Sequence, residues 1–125
     1  MSFSNARTAY LGNSVTTASP ARLLVMLVER LVLDVERALQ AQTDESWTDA
    51  HTHLLHAQEI VVELVSSLKP EQMTAGKELV MLYEFLRSRL VAANVNRDPE
   101  MTRQALTIAT GLCETWRSAA LAAPV

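Results

Sequence analysis

Four stretches of the chain place apolar residues three and four positions apart, the period of an amphipathic helix. The first runs from Pro20 to about Gln42, with Leu24, Leu27, Val28, Leu31, Val35 and Ala38 on one face. The second runs from about Ser46 to Leu68, where Lys69-Pro70 stops it, and its core face is Trp47, Ala50, Leu54, Ala57, Val61, Leu64, Val65 and Leu68. The third opens between Pro70 and Thr74, taken as residue 73, and ends near Asn94; its stripe is Leu79, Leu82, Tyr83, Leu86, Leu90 and Ala93. The fourth, residues 99–120, carries Met101, Ala105, Ile108, Ala109, Leu112 and Trp116. Caps sharpen two of the starts. Ser19-Pro20 and Asp98-Pro99 each pair a side-chain acceptor with a proline at the first helical position. Ser46 and Asp49 have capping-box spacing.

Rods of about 20 residues span about 30 Å, and short links between them favour antiparallel neighbours. The expected fold is therefore all-α: an antiparallel up-down four-helix bundle over residues 20–122, with a mobile N-terminal arm over residues 1–19 and a tail at 123–125. The arm is polar and turn-prone apart from Tyr10, Leu11 and Val15, and it meets the bundle at a capped helix start. It can detach without breaking a helix.

A bundle needs one apolar stripe per helix, so apolar residues outside the stripes are the informative ones. Met26 and Leu33 lie together on the first helix, Leu55 and Val62 on one flank of the second with Ile60 on another, Met81 and Phe85 on one side of the third with Val80 and Val91 on the other, and Leu106 and Cys113 on the fourth. Such residues on all four helices predict apolar grooves on the outside, and large exposed apolar patches mark partner surfaces. Met26, Met73, Met81 and Met101 would make those surfaces adaptable.

Composition narrows the classes. A net charge of -3, with acids and bases interspersed, gives no footprint for nucleic acid. The longest apolar run falls far short of the ~20 residues of a membrane span, so no membrane insertion is expected. The single cysteine, Cys113, excludes an internal disulfide and reads as a buried thiol. A cytoplasmic protein is expected.

His51, His53 and His56 are the one cluster that invites catalysis or metal binding. No helix carries the Glu-x-x-His of di-iron bundles, and His56 has no Lys or Arg within a turn to assist phosphotransfer. The cluster reads as a solvated face, and Glu36, Glu59, Glu63 and Glu84 as surface residues. No catalytic residue, no metal site and no cofactor is expected, and no enzyme.

The pattern Ala9-Tyr10-x-x-Asn13-Ser14-Val15-x-Thr17-Ala18-Ser19-Pro20, followed by Leu23 to Leu27, resembles the opening of the FliS flagellar secretion chaperones. Later blocks agree in order: Ala57-Gln58-x-Ile60 with Glu63-Leu64 and Ser67-Leu68, Leu82-Tyr83 with Leu90 and Ala93-Asn94, then Trp116. The chain departs from the family at Leu27-Val28-Glu29, where an aromatic residue is usual. The resemblance implies an export chaperone that binds the C-terminal segment of flagellin and prevents its polymerisation before secretion. It also implies an arm whose Tyr10, Leu11 and Val15 cover part of the groove until flagellin displaces them. With them, Met26, Leu33, Leu55, Val62, Met81, Phe85 and Leu106 are the candidate partner-binding residues. The export gate, and a second copy of the chain when no client is bound, are further partners left open. The alternatives are a histidine phosphotransfer bundle and a helical adaptor for an unrelated client.

Overall fold

The computed structural model describes residues 19–69, 71 and 74–122. Four helices follow in order: α1 (Pro20–Thr43), α2 (Trp47–Ser66), α3 (Gly76–Val95) and α4 (Pro99–Ala122). Each packs on its chain neighbours and α4 closes back on α1, so α1 lies diagonally across from α3. His51 at the start of α2 meets Asn94 at the end of α3, as antiparallel neighbours must. The expected four-helix bundle is what the chain forms.

Local chemistry explains the boundaries. The Ser19 hydroxyl accepts from the Arg22 N–H at 3.1 Å with Pro20 following, and the Asp98 carboxylate accepts from Glu100 N at 2.9 Å and Met101 N at 3.5 Å. Ser46 behaves differently: its hydroxyl donates to Asp49 at 2.9 Å and makes no side-chain cap. α1 and α3 end alike. Ser46 N reaches back to Ala41 O at 2.8 Å, and Asp98 N to Ala93 O at 3.1 Å, the six-to-one bond of a Schellman cap. That cap needs a left-handed residue, and the chain uses Glu45 (φ 56°) and Arg97 (φ 49°) where glycine is usual. Arg97 has a reason to be there, since its guanidinium lies 5.2 Å from the Trp47 ring. α3 starts later than expected, at Gly76, because Ala75 is itself left-handed (φ 61°).

The core is built from Val28, Leu31, Val35, Leu54, Ile60, Val61, Leu64, Tyr83, Leu86, Leu90, Ala105, Ala109 and their neighbours. Val28 is fully buried and belongs to the core. Several assignments shift by a position. Leu23 and Val25 are buried while Leu24 and Leu27 are only half-buried. Trp47 is half-buried at the bundle end. Leu82 is exposed at the edge of α3, and Ile60 and Cys113, placed outside the stripes by the pattern, lie within the core. Burial pushes the Cys113 thiol up from its ordinary value, against an opposing pull from Arg117.

Three buried polar ties lock the helices together. Gln42 donates to Ala93 O at 3.2 Å and accepts from the Thr102 hydroxyl at 2.6 Å, which joins α1, α3 and α4 at one end. The Trp116 indole donates to the Tyr83 hydroxyl at 2.9 Å, from α4 to α3. Burial raises the Tyr83 phenol above its ordinary value, and this hydrogen bond lowers it in part. The third tie, Asp34 with His56, joins α1 to α2.

The left-handed Glu45 is exposed and its side chain packs on nothing that a glycine would lose. Glu45→Gly should therefore stabilise the chain by about 0.5–1 kcal/mol. The check is urea unfolding: a higher midpoint at unchanged slope is expected, and a lower midpoint contradicts the strain assignment.

Candidate functional site

α3 is the helix whose apolar residues most exceed its buried stripe. Tyr83, Leu86, Leu90 and Ala93 face the core, which leaves Met81 (70% exposed), Leu82 and Phe85 (47%) facing solvent. Met81 and Phe85 are one turn apart, and Arg89, one turn further, holds its guanidinium 5.0 Å from the Phe85 ring. The far side of α3 carries Arg87, bound to Glu84 at 3.1 Å. The ring of Phe85 thus lies on an apolar strip with the Arg89 guanidinium held against it.

A second strip follows the seam between α2 and α3. Leu55 lies four residues after His51, and Val62 seven further on, so both occupy the flank that His51 turns toward α3. Val91 lies three residues before Asn94 on the facing flank, at the level of Leu55. Leu55, Val62 and Val91 are all exposed. The two strips flank α3 on either side.

The remaining candidates separate from these. Met26 and Leu33 are exposed on the outer face of α1, across the bundle from α3. They lie between two charged seams: Glu29 accepts from Arg117 of α4 at 2.8 Å, and Asp34 binds Arg30 at 3.1 Å. Leu106 is half-buried and packs against the core. Tyr10, Leu11, Val15 and Met73 lie outside the described residues. Leu82 belongs to the α3 strip although its spacing reads as core: a residue at the edge of a stripe is buried only if the next helix reaches it.

The histidines do not form a solvated face. His56 is half-buried and its Nδ1 contacts the fully buried carboxylate of Asp34, which Arg30 also binds. His51 pairs with Asn94 at the surface. Glu63, expected on the surface, is half-buried one heptad beyond His56. A carboxylate taken out of water must be paired, and helix α2 supplies the pair. Among the described residues no group of three or more His, Cys, Asp and Glu side chains is placed to hold a metal ion. No helix among them is long and apolar enough to cross a membrane.

Comparison with known proteins gives one answer. The family model described as flagellar protein FliS matches residues 3–123. The flagellar secretion chaperone FliS of Bacillus subtilis (strain 168) is 29% identical over 119 residues, 95% of this chain and 89% of that protein. A crystal structure of a flagellar chaperone from bacteria superposes with a TM-score of 0.73 at 19% identity, over 93% of this chain and 95% of the other. That likeness concerns the fold.

Removing the α2 partner of Asp34 should be costly. His56→Ala leaves a fully buried carboxylate short of a hydrogen bond and should destabilise the chain by about 1–3 kcal/mol. His51→Ala, at the surface, should cost less than about 0.5 kcal/mol. Equal losses in urea unfolding would contradict the assigned roles.

Proposed function

This chain belongs to the FliS family of flagellar proteins, a family of chaperones and not of enzymes, and we propose that its client is the C-terminal segment of flagellin. The observation that carries the proposal is the pair of exposed apolar strips beside α3, one with Met81, Leu82 and Phe85, the other with Leu55, Val62 and Val91. An amphipathic helix docks into such grooves through anchors at i, i+3, i+4 and i+7.

The mechanism is binding without turnover. A client segment that is disordered before assembly gains order by burying its apolar face, and the buried area offsets the entropy of ordering. While it lies on the chaperone, its own assembly surface is hidden. The adaptability of Met81 suits a helix that slides into register, in contrast to a pocket that selects a small molecule. Met26 and Leu33, on the far side, extend the contact only for a segment long enough to pass around the bundle.

Two parts of the mechanism rest on the family alone. In the client-free chain the arm covers part of the groove with Tyr10, Leu11 and Val15, and flagellin displaces it. The complex works in the cytoplasm and is delivered to the export gate, with a second copy of the chain as an alternative occupant of the apolar strips. A phosphotransfer reading on His51, His53 or His56 is not favoured, because the family is one of chaperones and the ring of His56 is tied to Asp34.

Phe85→Asp should weaken binding of a flagellin C-terminal segment about tenfold or more, some 1–2 kcal/mol, while helical content stays that of the wild type. Titration calorimetry with circular dichroism reads both. Wild-type affinity in a folded variant would move the client off α3.

A further inference from the structure

Among the described residues Arg30 binds Asp34, Arg87 binds Glu84, Arg103 binds Glu100 and Arg117 binds Glu29. Arg22, Arg37, Arg89 and Arg97 show no such ion pair, and of these Arg89 is the one on the strip of Met81, Leu82 and Phe85, half-buried and held 5.0 Å from the Phe85 ring.

Stacking has two consequences. It holds the guanidinium beside the ring, where its N–H groups are able to grip a carboxylate with two parallel hydrogen bonds. It also ensures that whatever covers Phe85 takes water away from Arg89. A covered cation without a partner opposes binding, and one with a carboxylate does not.

We propose that Arg89 selects client segments that carry a carboxylate one helical turn from the apolar residue docked on Phe85. The spacing follows from α3 itself, where Phe85 and Arg89 are one turn apart, so a client helix lying along the strip must repeat it. This rests on the reading that a helical segment of flagellin docks on α3.

The test uses the full chain, as wild type and as Arg89→Met, which keeps the apolar stem and removes the charge. The probes are synthetic peptides of the flagellin C-terminal segment, one unmodified and a set in which each Asp or Glu is changed singly to Asn or Gln. Affinity is read by fluorescence anisotropy. Arg89→Met should bind the unmodified peptide about tenfold more weakly. One neutralised peptide should show the same loss on the wild-type chain and no further loss on Arg89→Met, so that the two changes are not additive. The peptide series on the wild-type chain stands even if the variant is unstable. Binding in which no neutralised peptide differs from the parent by more than about twofold overturns the role of Arg89 while leaving the client in place. A wild-type chain that binds no flagellin peptide overturns the client, and the selection with it.

Discussion

A four-helix bundle buries one stripe of each helix and no more, and that geometric limit governs the surface of this protein. On α1, α2 and α4 the apolar residues mostly fit the stripe, and the excess is a pair or a single side chain. On α3 they do not: Tyr83, Leu86 and Leu90 fill the core while Met81, Leu82, Phe85 and Val91 remain in solvent. Each exposed aliphatic alone would be ordinary. Their concentration on one helix, joined across the seam by Leu55 and Val62, is what makes a surface suited to a helical partner.

Such a surface must be held open against collapse, and the polar ties do that. Gln42 with Ala93 and Thr102 binds α1 to α3 and α4, Trp116 with Tyr83 binds α4 to α3, and Asp34 with His56 binds α1 to α2, each through groups that would be costly to leave unpaired. They act as a register device: a helix that rotated to bury Phe85 would break the Tyr83 hydroxyl away from Trp116. The apolar strips stay outside because turning them inward would strand buried polar atoms.

What could be read from the sequence was whatever is local. The Ser19-Pro20 and Asp98-Pro99 starts need only residues within one turn, and the structure has both. Helical periodicity located Phe85, Met81, Leu55 and Val62 outside the stripes, and all are exposed. What failed depends on contacts between helices. Asp34 looks like any surface acid until His56 on another helix meets it, and Leu82 looks like core until α4 proves not to cover it. The start of α3 was hidden because a left-handed alanine, not a recognisable cap, precedes it. The stacking of Arg89 on Phe85 was within reach at i, i+4 spacing, but its lack of a carboxylate partner is a property of the whole surface.

The central claim is that the faces flanking α3 are where the client lies. Chemical-shift mapping of the isotopically labelled chain, titrated with an unlabelled flagellin C-terminal segment, tests it residue by residue. The account predicts that the largest changes cluster at Leu82, Phe85 and Arg89 and along Leu55, Val62 and Val91, with the Glu29–Arg117 seam little affected. Changes concentrated on the outer faces of α1 and α4, with α3 unperturbed, would contradict it.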